Sequence, residues 1–587
     1  MATRRLDVMN SSNRPPGDCI LPAYLRRLGL LLSVCLAPLA CASNSAVAPA
    51  AATDKQPNIL LILVDDMGFT DLGSFGGEID TPNLDALAYA GVRFSNFQAA
   101  PTCSPTRAML LTGTDNHVAG LGNMAEEMAP NQQGQPGYEG YLNQRVVTVA
   151  SLLRDAGYRT YMTGKWHLGT SPETSPAARG FERSFAMLSG GASHYADMKP
   201  AYSPTADSKA PYRKDGELLQ QLPANFDYSS QFYVDEMIDY LEQDKDSGKP
   251  FFAYLAYTAP HWPLQAPDSA IAKYAGRYND GYDALAQRRL QRQKTLGLLD
   301  PKATATPKPA GTLPWSALDP AARKQQTRQM EIYAAMIDQV DHHTGRLVDY
   351  LKANALLDNT LILFMSDNGA EGHDLDSTWS AAMYPKIRQV IDTTHDFSYA
   401  NMGKPNSYVF LGAGWAHASS PALRLYKGAT SEGGTRVAAF AHFPRQLPAG
   451  HISHELVSVA DITPTLLQLT GIEHPGTDYR GRAIAPPSGT SMLHAWRGQS
   501  VPADLQQRVL GMELMGKRAV RAGDWKLVHM PPPYGKGAWQ LYNLREDIGE
   551  QRDLAASHPE QLKRMVSYWQ KYASDNAVIL PDWLSGY

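Results

Sequence analysis

Three runs of this chain are apolar almost from end to end: Asn58 to Val64, Phe251 to Tyr257 and Thr360 to Met365. A strand that buries one face alternates apolar with polar residues, whereas a strand with no alternation is buried on both faces. That is the condition of a parallel sheet covered by helices on each side. Each run ends abruptly in polar residues: Asp65-Asp66-Met67-Gly68, Thr258-Ala259-Pro260-His261 and Ser366-Asp367-Asn368-Gly369. In open α/β sheets ligands bind just past the carboxyl ends of the strands. The runs therefore predict an α/β fold with a site along one edge of the sheet.

Further elements end in the same way. An amphipathic helix from Val147 to Ala156, closed by Gly157, precedes a strand from Tyr158 to Met162, which runs into Thr163-Gly164-Lys165-Trp166-His167. Lys165 and His167, two residues apart, would face one side. The strand Val92 to Phe97 delivers the chain to Cys103-Ser104-Pro105-Thr106-Arg107. The pattern turns helical from Pro105, so Cys103 would stand at a helix N-terminus, where backbone N–H groups favour an anionic nucleophile or a sulfate oxygen. Lys427-Gly428-Ala429-Thr430-Ser431-Glu432-Gly433-Gly434-Thr435-Arg436 forms a Gly-rich loop before the strand Val437 to Phe443. Singly, each residue has an ordinary reading: a buried cysteine, a solvated lysine, a carboxylate capping a turn. Jointly, they fall at strand ends. Adjacent buried acids are costly unless they meet a cation. Asp65, Asp66, Asp367 and Asn368, four oxygen donors without His, favour Ca²⁺ over Mg²⁺ and argue against Zn²⁺. Asp461, near the start of the helix that follows, reads as structural.

Composition narrows the field. The 587 residues carry 54 basic and 58 acidic side chains, a net charge of -4. No long Lys/Arg run accompanies them, so nothing points to nucleic acid. Residues 1–52 read as a leader. Arg26-Arg27 precede the apolar stretch Leu28 to Ala37, too short to cross a bilayer but suited to a signal-peptide core. Pro38-Leu39-Ala40-Cys41 resembles a lipobox that would lipidate Cys41, with ordinary cleavage near Ala40 or Ala42 an equal alternative, and the route is Sec or Tat. The expected location is outside the cytoplasm, as a periplasmic protein or outer-membrane lipoprotein of a bacterium. Of the cysteines at 19, 35, 41 and 103, processing would leave Cys103 alone, without an internal disulfide partner. No later apolar run is long enough to span a membrane.

The body divides into a catalytic domain over 53–485 and a subdomain over 486–587, where Lys526 to Val528 and Gln540 to Leu544 suggest a small antiparallel sheet before a helix around Pro559 to Tyr572. Residues 170–230 and 371–420 read as irregular loops able to rim a pocket, and 267–328 as an exposed insertion with solvated charges. Helices are predicted around Phe232 to Gln243 and from Gln329 to Asn354. In the second, Ile332, Met336, Ile337, Val340, Leu347 and Leu351 are core.

Cys103-x-Pro105-x-Arg107, followed by Ala108-Met109-Leu110-Leu111-Thr112-Gly113, resembles the signature of type I sulfatases, with Thr106 where Ser is common. With the other strand-end residues, the match to the bacterial arylsulfatase group runs from about Pro57 to the C-terminus. The resemblance implies the alkaline-phosphatase-like fold, a large mixed, mostly parallel sheet sandwiched by helices with a smaller C-terminal antiparallel sheet. It implies that a separate maturation enzyme oxidises Cys103 to Cα-formylglycine before folding. Asp65, Asp66, Asp367 and Asn368 would bind one Ca²⁺, completed by the modified Cys103. Arg107 and Lys165 would hold the formylglycine diol, and His167, His261 and Lys427 would surround a small-molecule sulfate ester. In that scheme Asp367 accepts a proton as the diol attacks sulfur, His261 assisted by Lys427 protonates the leaving oxygen, and His167 returns the diol to the aldehyde. Two other readings are a phosphonate monoester or phosphodiester hydrolase of the same superfamily, which has His where this chain has Asn368, and a non-catalytic surface lipoprotein on this fold. The ester could be aryl, alkyl or sugar.

Overall fold

The computed structural model describes residues 55–202 and 205–583. The leader, with Cys41, lies outside the described residues. The buried run Asn58–Val64 becomes β1, the centre of an eleven-stranded sheet. The others are β2 (Val92–Gln98), β3 (Arg159–Lys165), β4 (Arg183–Met187), β5 (Tyr212–Lys214), β6 (Glu217–Leu219), β7 (Phe251–Ala256), β8 (Thr360–Ser366), β9 (Arg436–His442), β10 (His451–Ser453) and β11 (Val457–Ser458). Their order is β10-β2-β9-β8-β1-β7-β3-β4-β5-β6, with β11 beside β2.

Why β1 shows no alternation is visible in its packing. Leu60, Ile62 and Val64 join the core beneath the helices Ser229–Gln243 and Pro320–Ala353. Ile59, Leu61 and Leu63 join the opposite core beneath Cys103–Thr112 and Ile462–Thr470. All six are essentially inaccessible, and each such side chain contributes about 1.5–3 kcal/mol by leaving water. The expected sheet sandwiched by helices is therefore what the protein adopts.

Direction matters more than order for the site. β3, β7, β1 and β8 run parallel, so their carboxyl ends share one edge. β9 is antiparallel to β8, with Ala439 opposite Met365, so β9 begins where β8 ends. β2 is antiparallel to β9, with Gln98 opposite Arg436, so its carboxyl end returns to the same edge. The segments carrying Cys103 and Lys427 thus arrive beside Asp65 and Asp367.

The smaller sheet consists of Val509–Leu514, Lys517–Ala522, Trp525–His529 and Gln540–Asn543, all antiparallel. One face packs Val520, Leu527 and Leu541 against Met565 and Trp569 of the helix Pro559–Asp575. The other packs Ala519 and Val528 against Ala429, two residues after Lys427.

The expectation of a solvated insertion over 267–328 is corrected. Helices Asp268–Lys273 and Gly281–Thr295 form there, and Tyr274, Tyr278, Tyr282 and Leu285 are buried. Arg289 is buried too, paired with Asp71 and, at 2.7 Å, with Glu78. Its charge serves an ion pair with a loop some 210 positions earlier, which local polarity does not reveal. Residues 371–420 are likewise not wholly irregular, since Pro385–Thr394 and Ala413–Ala418 are helical. Among the described residues, no helix is long and apolar enough to cross a membrane.

Candidate active site

The helix Cys103–Thr112 begins at the cysteine itself. Thr106 fixes that start: its hydroxyl accepts from the Ala100 amide at 2.9 Å and donates to the Ala100 carbonyl at 3.2 Å. Either Ser or Thr supplies such a hydroxyl, which accounts for Thr at this place in the motif. The Cys103 thiol donates to Asp65 Oδ1 at 3.3 Å and lies 3.9 Å from Asp66 Oδ1.

Around it the strand-end residues converge. Lys165 Nζ donates to Asp65 Oδ2 at 2.7 Å, and Lys427 Nζ to Asp66 Oδ2 at 2.9 Å. Arg107 places Nε and Nη2 on Asp367 Oδ2 at 3.0 and 2.7 Å, and Nη1 on the Lys165 carbonyl at 2.8 Å. Asn368 Nδ2 donates to Asp66 Oδ1 at 2.7 Å, and the Asp66 amide to Asp367 Oδ1 at 3.3 Å. His261 turns Nδ1 to the Trp262 carbonyl at 2.5 Å, leaving Nε2 facing Asp66 Oδ2 at 3.7 Å. The Gly-rich loop does more than turn. The Gly369 amide donates to the Gly434 carbonyl at 3.1 Å. A Cβ at Gly369 would lie 1.9 Å from the Gly433 carbonyl oxygen, so only glycine lets the Lys427 loop lie on the Asp367-Asn368 turn.

Charge in this cluster is unevenly balanced. Burial pushes the Asp65 carboxyl up, but Lys165, His261, Arg107 and Lys427 together hold it well below the usual carboxylate range. Asp66 is pushed up to about 7 by burial, helped by Asp65, Glu371 and Asp367 and opposed by Lys427. Burial and Asp65 raise Asp367 to about 6 against Arg107 and Lys165. Positive charge is thus short beside Asp66 and Asp367. Asn368 Oδ1, on the residue after Asp367, is buried without a hydrogen bond among the described residues. Donor atoms of Asp65, Asp66, Cys103 and His261 lie within 4.8 Å of one another. An orphaned amide oxygen among under-compensated carboxylates fits a hard divalent cation such as Ca²⁺.

Burial, Asp367 and Asp65 push the Cys103 thiol far above its ordinary value. Burial and Lys427 keep His261 neutral. His167, held at positive φ (56°), directs Nε2 to Glu126 at 3.1 Å. Glu126 was not legible in the sequence, nor was Glu371, 3.4 Å from Lys427 and bonded to His373 Nδ1 at 2.6 Å. The one available signal was an acid in each flanking loop, and acids are common there. Tyr202, Trp262 and Trp379 line the pocket above Cys103 with Glu126 and Glu127. The loops 170–230 and 371–420, expected to rim a pocket, contribute Tyr202 and Trp379.

A mixed sheet clad in helices, with carboxylates and lysines gathered on its carboxyl edge, defines an ester hydrolase of the alkaline-phosphatase superfamily. The sulfatase family profile matches residues 57–472, and that of the N-sulphoglucosamine sulphohydrolase C-terminal region matches 427–571. An uncharacterised sulfatase of Schizosaccharomyces pombe is 42% identical over 535 residues, covering 90% of this chain and 95% of that protein. The arylsulfatase of Klebsiella aerogenes is 38% identical over 448 residues, covering 75% and 92%. The crystal structure of Ps i-CgsB in complex with k-i-k-neocarrahexaose superposes with a TM-score of 0.62 at 25% identity, covering 90% of this chain and 95% of that one. The chain belongs to the type I sulfatase family and is a sulfuric ester hydrolase.

Proposed function

We propose that this sulfatase acts on aryl sulfate esters, with residue 103 working as formylglycine beside a single Ca²⁺. The observation that carries this reading is the state of Cys103. It stands at the centre of the polar cluster, yet burial and the carboxylates of Asp367 and Asp65 favour its protonated thiol. Activated cysteines sit in electropositive surroundings, so an unmodified thiol here is a poor nucleophile. Oxidised to the aldehyde and hydrated, the residue supplies a hydroxyl nucleophile instead.

Asp65, Asp66, Asp367 and Asn368 would hold Ca²⁺, which when bound draws negative charge from the sulfate oxygens. Lys165 and Lys427, within hydrogen-bond reach of Asp65 and Asp66, add positive charge where the sulfate group enters. Arg107 is committed to Asp367 and the Lys165 carbonyl, so its part is to orient that carboxylate and the lysine. Asp367, whose charge bears on the side chain at 103, would take the proton that the nucleophile gives up. His261 offers Nε2 to the departing oxygen, and a bound sulfate would favour the imidazolium that burial, Lys427 and Lys165 disfavour. His167, oriented by Glu126, is the base that takes the proton left on residue 103. Tyr202, Trp262 and Trp379 provide apolar walls for an aromatic leaving group. The N-terminal leader, read from sequence, would export the protein; membrane fractionation of wild type and Cys41→Ser tests lipid attachment.

The test is mass spectrometry of the tryptic peptide 94–107 from active enzyme made with a maturation enzyme present. An aldehyde or its hydrate at 103 is expected, and a free thiol in fully active protein overturns the reading. Turnover of 4-nitrophenyl sulfate should exceed that of an aryl phosphodiester. The reverse ranking would favour the phosphonate and phosphodiester hydrolases.

A further inference from the structure

The pocket over Cys103 changes character along its length. Its floor holds Cys103, His261 and the cation Lys427, and its walls are aromatic: Trp379 lies 5.4 Å from Tyr202 and 6.4 Å from Trp262 between ring centroids. Another wall is the short segment Met124 to Glu127. Glu126 there is engaged by His167. Glu127 is not: it lines the same pocket, is 1% exposed, and its Oε2 makes no hydrogen bond among the described residues. The Tyr384 hydroxyl is a neighbouring donor that acts on this carboxyl, but neither it nor Oε2 reaches hydrogen-bond geometry. No step of the reaction uses Glu127. A buried carboxyl oxygen without a donor is costly, and beside a substrate pocket the missing donor can come from the ligand.

We propose that Glu127 is a specificity-determining residue that receives a protonated amine on the leaving group, so that the preferred substrate is a zwitterion carrying its sulfate ester at one end of an aromatic ring and an ammonium at the other. This rests on the sulfate-ester reading above. Burial and Glu126 push the Glu127 carboxyl up to about 8 against Lys517 and the Tyr384 hydroxyl, and Lys427 takes no part in that balance. The carboxyl is therefore short of positive charge, which an ammonium supplies and a hydroxyl does not. Both acids also bear on the Tyr202 phenol, which places them along the aromatic part of the pocket. Aromatic faces further favour a cation that passes them.

The experiment compares kcat/KM for 4-(aminomethyl)phenyl, 4-(hydroxymethyl)phenyl and 4-methylphenyl sulfates in wild type and Glu127→Gln. Wild type should prefer the ammonium ester over the methyl ester by about tenfold or more, the effect of one charge-assisted contact. E127Q, whose ratio measures the electronic effect of the substituent alone, should retain about a twofold preference or less. Benzylammonium should also inhibit wild type competitively, and benzyl alcohol should not; this arm stands even if the variant does not fold. Equal wild-type and E127Q ratios, or a hydroxymethyl ester as good as the ammonium ester, overturn the inference while leaving the sulfatase reading intact. Failure to cleave any of the three esters overturns the aryl sulfate reading and this inference with it.

Discussion

The side chains at the sheet edge hold one another in protonation states that a cation would change. Asp66 and Asp367, raised to about 7 and about 6 from an ordinary value near 3.9, take up protons on folding. In metal-free protein their contribution to stability is complete below about pH 4 and is lost as pH rises through about 6 to 7. Asp65 has the opposite sign: its depressed value stabilises above the ordinary carboxylate range and is lost as pH falls below it. Melting temperatures in chelator should therefore decline from pH 5 to pH 7.5, and added Ca²⁺ should raise them more at the higher pH. A Ca²⁺ increment independent of pH would refute this. At His167, Glu126→Gln removes the carboxylate that favours the imidazolium. The acidic limb of the kcat profile should move to lower pH, and kcat should fall by about 10- to 100-fold, as when a partner that orients an essential group is lost. The residue types at 65, 66, 103, 165, 167, 261, 367 and 368 were legible because each ends or follows a strand or opens a helix, and Lys427 because it opens a Gly-rich loop before a strand. Their partners Glu126 and Glu371 were not, because a hydrogen bond between separate loops leaves no local pattern.

Elements, rather than residues, explain how the Asp65-Asp66 turn keeps its shape. Asp66 sits at φ 69°, a left-handed conformation that costs about 1–2 kcal/mol outside glycine. The turn is held from behind: the Tyr333 hydroxyl, on the helix Pro320–Ala353, donates to Asp71 Oδ2 at 2.7 Å and accepts from the Gly68 amide at 3.2 Å. Arg289, on Gly281–Thr295, pairs with Asp71 on the other side. Arg289→Met leaves Asp71 buried without its cation and should destabilise the protein by about 3–5 kcal/mol in urea. It should also weaken Ca²⁺ binding measured by calorimetry. Tyr333→Phe should cost about 1 kcal/mol and weaken Ca²⁺ less. Unchanged Ca²⁺ affinity in both variants would show that the turn holds itself. The helix from 329 was legible from its apolar spacing. Gly281–Thr295 was not, since its polar residues conceal a buried tyrosine and arginine face that only its neighbours make apparent.

Across the whole molecule, the smaller sheet is bound into the site. Glu432, in the Gly-rich loop, accepts from Lys526 at 2.8 Å and from Arg436 at 2.6 Å, and lies 3.3 Å from Arg521. All four are buried, and Lys526 and Arg521 belong to the smaller sheet. Lys526→Met should cost about 3–5 kcal/mol and reduce kcat through the Lys427 segment. Tryptophan fluorescence and far-UV circular dichroism should report one coincident unfolding transition, because the described residues form a single compact unit; separate transitions would show that the smaller sheet unfolds alone. Apolar runs without alternation were enough to determine a buried, mostly parallel sheet, and the polar residues after them to determine which chemistry lay at its edge. Only the tertiary structure decided that β9 runs antiparallel and so brings Lys427 to that edge, that the segment over 267–328 folds inward, and which acids steady His167 and Lys427. The reason is physical: burial on two faces is written in consecutive residues, whereas strand direction and ion pairing depend on groups that meet only when distant segments pack.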